Sequence, residues 1–198
     1  MFNNIYKDKK VLITGHTGFK GTWLTTWLLK LGANVVGISK DIPTTPSMFE
    51  ELKIRGKIKH YQEDIRDLSK VSVVITNEKP DFLFHLAAQA IVSTSYISPI
   101  ETITSNVIGT ANILEALKES NHKCSAIIIT SDKAYDNVEQ VWGYKEDDKM
   151  GGRDIYSGSK GAAELVIKSY FHSFFTKEGC NVKLAIGRAG NVIGGGDW

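Results

Sequence analysis

The chain has 198 residues, 42% hydrophobic and 23% charged, with a formal net charge of +2. Glycine and proline together make up about 11%, near ordinary usage, which excludes collagen-like and low-complexity readings. Charges of both signs are spread along the chain, so neither a nucleic-acid footprint nor a polybasic membrane anchor is implied.

Short apolar runs alternate with longer amphipathic stretches. Lys10 to Thr14 (KVLIT) reads as a buried strand leading into a glycine-rich turn. A helix follows from Phe19 to Leu31, with Leu24, Trp27, Leu28 and Leu31 on one face, and Gly32 ends it. Asn34 to Ile38 is the second strand, Asp41 to Pro46 a loop, and Lys57 to Tyr61 a short third strand. A helix over Leu68 to Asn77 stops before Pro80, and Asp81 to Leu86 is the next strand. Ile103 to Lys118 reads as a helix, Ser125 to Thr130 as the most apolar strand, and Tyr156 to Phe175 as a long helix. Between them Asp136 to Gly152 is polar and irregular, with a solvated acidic run at Glu146, Asp147 and Asp148. Val182 to Ile186 is the sixth strand. Strands alternating with helices predict an α/β fold with a parallel sheet covered on both faces.

Cys124 and Cys180 match no metal spacing and are too few for a disulfide framework, which suits a reducing cytosol. No metal site is expected. The polar N-terminus lacks a signal-peptide apolar region, so the expectation is a soluble, cytoplasmic chain. Arg188 to Trp198 runs from a strand into a glycine-rich loop, so the natural protein is expected to continue.

Two motifs carry chemistry. Gly15, Gly18 and Gly21 give the spacing GxxGxxG at the first strand-to-helix junction. There a tight turn, close backbone approach and a helix N-terminus suit a dinucleotide pyrophosphate, with Lys20 adding charge and His16 placed beside the phosphates. The second strand ends without an acid at the expected place. Asp41 lies further along and Lys40 would favour a phosphate, so NAD is preferred over NADP by a narrow margin. The second motif is Tyr156 and Lys160, which share one helix face. A lysine ammonium and an oxidised nicotinamide would lower the tyrosine toward a usable base for a secondary alcohol.

These residues, with Asp64-Ile65 and His85-Leu86-Ala87-Ala88, resemble the extended short-chain dehydrogenase/reductases that act on nucleotide sugars. The resemblance spans the chain and roughly the first half of such enzymes. It implies a Rossmann-like doubly wound sheet, with residues 1–187 as the NAD(P)-binding domain and 188–198 opening a truncated substrate-binding region. Such a chain would hold cofactor but lack most of the sugar's seat. Cofactor contacts would come from Gly15, Thr17, Gly18, Phe19, Lys20, Gly21, Asp64, Ile65, Leu86, Ala87, Ala88, Thr130, Tyr156 and Lys160. Gln89, Ser131 and Asn191 would face substrate, and Asn106 would hold the active-site backbone. Arg188 is a further polar residue near a strand end. Helices near 100–120 and 156–178 would pair two copies in a four-helix bundle.

Thr130-Ser131-Asp132-Lys133 selects the reaction. An epimerase needs only Ser131 and Tyr156, whereas a 4,6-dehydratase also needs a base for C5 and an acid for the leaving C6 hydroxyl. Asp132 and Lys133 meet that need. Ser-Asp-Lys, Val141-Trp142-Gly143-Tyr144 and Arg188-Ala189-Gly190-Asn191 are similar to the branch of 4,6-dehydratases that works on CDP-glucose. Lys133 would act as base only if burial or nearby cations lowered it; otherwise it orients substrate while another group takes the proton. Ser93-Thr94 stand where that branch suggests an arginine. A 4-epimerase and a non-catalytic dinucleotide-binding module remain alternatives. His85 is expected to be a satisfied core histidine, and Trp23 and Trp27 are expected to be core or interface packing.

Overall fold

Alternation along the first strand decides how the sheet is dressed. In β1 (Lys10–Thr14) Leu12 points to one face and Val11 and Ile13 to the other, all fully buried. The computed structural model describes residues 2–197. Five further parallel strands are β2 (Asn34–Ile38), β3 (Lys59–Tyr61), β4 (Phe82–His85), β5 (Cys124–Ser131) and β6 (Val182–Ala189). Their order is β3-β2-β1-β4-β5-β6. The chain winds outward from β1, then crosses to β4, so the crevice between β1 and β4 is the switch point where such sheets bind ligands.

Leu12, Val36, Leu83, Ala126 and Ile128 pack against α3 (Leu68–Glu78), α6 (Gly109–Ser120) and α7 (Ile155–Tyr170). On the opposite face Val11, Ile13 and Val35 meet Leu28 of α1 (Phe19–Lys30). That second cover does not extend across the sheet. Ile127 and Ile129 of β5, and Ala185 beside them on β6, are half-buried or exposed, so the helical cover on this face thins out over the later strands.

Three short helices were not legible: α2 (Met48–Glu51), α4 (Val92–Ile97) and α5 (Pro99–Ile103). Ser47 caps α2 by accepting from the Glu50 amide at 3.2 Å, and Pro99 opens α5. The expected helix from Ile103 to Lys118 is broken by a π turn over Thr104–Ile108 and ends at Asn121, whose φ of 38° is left-handed. A second π turn, Phe171–Phe175, follows α7. The strand expected from Lys57 starts at Lys59, after a tight turn over Arg55–Lys57. β6 runs three residues beyond Ile186, pairing Arg188 with Thr130 and Ala189 with Ser131, so the expected division after 187 falls inside a strand. No helix among the described residues is long and apolar enough to cross a membrane.

Candidate active site

The ends of β1, β4 and β5 meet the N-termini of α1 and α7. Gly15 follows β1 with φ +74, and a Cβ there would stand 2.8 Å from the Ala87 backbone. A Cβ on Gly21 would be driven into the Gly15 carbonyl. No side chain caps α1 at Gly18, which leaves the first-turn N–H groups, beside Phe19 and Lys20, for an anion. Thr17 donates to the Asp41 carbonyl at 2.7 Å and so pins the β2 loop to the turn. The far wall is tied down as well: the Leu86 and Ala87 amides donate to Thr14, both at 3.1 Å. Ala88 continues that wall, half-buried.

Asp154 caps α7 by accepting from the Ser157 amide at 3.0 Å and its hydroxyl at 2.6 Å. One turn later Tyr156 and Lys160 are 8% and 7% exposed, with the ammonium 5.8 Å from the ring centre. The Lys160 ammonium has no hydrogen-bond or ion-pair partner among the described residues. Burial, then the Lys20 ammonium, push it down to about 8. A buried cation without a partner, facing an uncapped helix end across a glycine turn, fits a phosphate- and hydroxyl-bearing dinucleotide.

Tyr156 departs from expectation. Its phenol is held above the usual range, by burial first, with the Asp132 and Asp154 carboxylates adding and the Ser131 hydroxyl opposing. Ser131 donates to Asp132 at 3.0 Å and accepts from the Lys133 amide at 3.2 Å. Asp132 and Lys133 are both exposed, so the burial expected around Lys133 is absent in this half of the cleft. Lys133 does lie close enough to Asp154 to favour its carboxylate.

Asn106, in the π turn, braces two walls. Its carbonyl accepts from the Gln89 amide at 2.8 Å, and its amide donates to the Gln89 carbonyl at 3.1 Å and Ser159 at 2.9 Å. Ser159 in turn donates to the Tyr156 carbonyl at 2.7 Å. Gln89 spends its own side chain on Ile91 and Thr102 rather than on an open cleft. Asn191 is exposed and free of hydrogen bonds among the described residues. Asp64 grips Arg66 through both oxygens, which lowers its carboxyl, while Ile65 is buried in the core against Gly109.

His85 is the core histidine expected, linking Thr14 at 2.6 Å to Thr110 at 3.1 Å. Thr110 itself donates to the Asn106 carbonyl, so His85 carries its hydrogen on Nε2 and accepts at Nδ1. His16 does not sit beside the phosphates. It is fully buried, edge-on to Phe49 and bonded to Ser39 at 3.0 Å and His60 at 2.7 Å, because the missing side chain of Gly37 makes room for its ring. Burial lowers His85 from 6.5 to about 3 and His16 from 6.5 to about 4. Both bind protons more readily unfolded, so their contribution is complete above pH 6.5 and falls away toward pH 3 to 4. Denaturant titrations across that window are expected to lose about 1.4 kcal/mol per pH unit for each histidine; a flat profile would refute the assignment.

The pattern missed one network. Glu164, fully buried one turn beyond Lys160, accepts from Thr130 at 2.6 Å and from Arg188 through both oxygens at 2.7 to 3.0 Å. Thr130 is therefore engaged below the cofactor side, and Arg188 is a brace that also reaches the Glu146 carbonyl and the Tyr135 ring. A carboxylate at the next helical repeat after Tyr156 and Lys160 was the available signal. Trp23 and Trp27 are each 47% exposed rather than core; Trp23 donates to the Gly195 carbonyl and Trp27 meets Phe2 edge-on.

Comparison with known proteins bears on the family and the fold. A CDP-glucose 4,6-dehydratase of Salmonella typhimurium is 50% identical over 98% of this chain and 55% of its own length. A UDP-glucose 4-epimerase of Thermotoga maritima, solved with UDP-glucose, superposes with a TM-score of 0.77 at 23% identity, over 90% of this chain and 54% of that one, and shows the fold. MoeE5, solved with UDP-glucose and NAD, gives a TM-score of 0.72 at 25% identity over 90% and 53%. The chain spans about half the length of the relatives it matches. Residues 12–184 match the family described as GDP-mannose 4,6 dehydratase, and the chain belongs to that family.

Proposed function

We propose that this chain is the dinucleotide-binding and catalytic half of a cytoplasmic 4,6-dehydratase that converts CDP-glucose to CDP-4-keto-6-deoxyglucose. The carrying observation is the convergence of Ser131, Tyr156 and the unpartnered Lys160 at the glycine turn, with Asp132 bonded to Ser131. The half-identical CDP-glucose 4,6-dehydratase supports the nucleotide, and the neighbour solved with NAD supports the cofactor.

When bound, NAD supplies the hydride acceptor at C4 and the donor that returns hydride to C6. Ser131 and Tyr156 hold the C4 hydroxyl, and Tyr156 takes its proton. Lys160, poised near 8, steadies the phenolate and the ribose. The new 4-keto group acidifies C5; with Lys133 exposed, that residue orients the substrate while another group takes the C5 proton, and Asp132 protonates the departing C6 hydroxyl. No net oxidation results. Mass spectrometry of CDP-glucose incubated with the chain and NAD, beside dTDP-, GDP- and UDP-glucose, tests this. Loss of one water from the CDP sugar alone is expected. An unchanged mass with altered retention would mean epimerisation and overturn it.

The proposed homodimer rests on a second feature. Tyr96, Ile97, Ile100 and Ile103 leave an apolar surface beside α7, which adds Ile155 and the exposed Leu165, around a groove of about 480 Å³. Sedimentation of Leu165→Glu is expected to give monomer where the native chain gives dimer; two monomers or two dimers would refute this face.

A further inference from the structure

β5 outruns one of its two neighbours. β4 pairs with it from Ser125 to Ile128 and stops, so Ile129, Thr130 and Ser131 project past β4 and are held in the sheet on one side only, by β6. β6 is itself the edge of the sheet. Yet this end carries Ser131, whose hydroxyl faces the Tyr156 phenol and bonds to Asp132. A strand gripped from one side can roll about its own axis, and a roll displaces every side chain it carries.

The second grip comes from α7. Glu164 is 2% exposed and lies on the face of the helix that also carries Tyr156 and Lys160, at successive steps of four residues. Its carboxylate accepts from the Thr130 hydroxyl at 2.6 Å and from the Arg188 guanidinium at 2.7 to 3.0 Å. Thr130 and Arg188 are register partners in the β5–β6 ladder, as are Ser131 and Ala189. A single carboxylate therefore holds both strands at one level, next to Ser131, and ties that level to the helix bearing the phenol.

We propose that Thr130 and Glu164 are positioning residues, whose bond sets where Ser131 stands against Tyr156 and so aligns the pair for removal of the C4 hydroxyl proton. The reaction served rests on the dehydratase reading; the alignment rests on the geometry. The Arg188 ion pair braces the fold, and the Thr130 hydroxyl fixes the strand end.

Thr130→Val keeps the shape of the side chain and the Glu164–Arg188 pair and removes only the hydroxyl, which Thr130→Ser restores. In the native chain isotope-labelled at the tyrosine Cζ, the Tyr156 resonance is identified by its loss in Tyr156→Phe and reports what the phenol touches. It is expected to move in Thr130→Val, in the direction given by Ser131→Ala, and to keep its native position in Thr130→Ser. With CDP-glucose, Thr130→Val is expected to lower kcat by about 10- to 100-fold while KM and dinucleotide affinity stay within a few-fold, and Thr130→Ser to recover most of the rate. An unmoved Tyr156 resonance in Thr130→Val, or a Thr130→Ser variant that behaves like Thr130→Val, would overturn the positioning role. Absence of turnover in the native chain would count against the dehydratase reading, and the resonance would still decide the alignment.

Discussion

Replacing Tyr156 by phenylalanine is expected to lower turnover of CDP-glucose by about 10²–10⁴-fold while dinucleotide affinity stays within a few-fold. The ring is buried beside Lys160 and its packing survives the loss of one oxygen. Only the group that accepts the C4 hydroxyl proton disappears. Titration calorimetry for the dinucleotide and a discontinuous product assay separate the two effects. A variant that keeps more than about a tenth of native turnover would remove Tyr156 from the proton path.

Glu164→Ala is expected to be the most destabilising single change described here, by about 3–5 kcal/mol. Its partner Arg188 has a side chain only 16% exposed, and removing the carboxylate leaves that guanidinium enclosed and uncompensated. The melting temperature should fall by about 6–20 °C for a domain of this size. Paired replacement, Glu164→Leu with Arg188→Met, should recover much of the loss, since an enclosed ion pair exchanged for apolar groups of similar volume is often neutral. If the single variant melts within about 1 °C of the native chain, the pair is not a structural brace.

The strands were legible because buried parallel strands read as unbroken apolar runs. Lys10–Thr14 and Asn34–Ile38 have the expected bounds, and Cys124–Ser131 exceeds its expected span by one residue at each end. Helix interiors were less so. The break at Thr104–Ile108 carries no proline or glycine, and what shapes it is Asn106 reaching across to Gln89 and Ser159, contacts set by tertiary structure. Residue types and spacing found the glycine turn, Ser131, Tyr156 and Lys160, which the fold brings to one cleft. The same signals could not say which polar groups were already spoken for. Gln89 and Thr130 look like ligands in the sequence, yet their hydrogen-bonding capacity is turned inward. Glu164 looks like a surface charge and is buried. Burial is a property of the assembled layers, and a single sequence does not display it.

β6 ends the sheet, and among the described residues no strand pairs with its outer edge. Its face toward the α1 side is thinly covered, with Lys183 and Ala185 exposed beside the half-buried Ile127 and Ile129. An open backbone edge flanked by apolar side chains is a template for adding another strand, opposed here mainly by the charge of Lys183. At high concentration the chain would therefore grow by edge-to-edge pairing, giving open-ended, salt-promoted aggregates rather than closed assemblies. Such material would scatter light and bind amyloid-type dyes, and a second charge at Ile186 would keep it in solution.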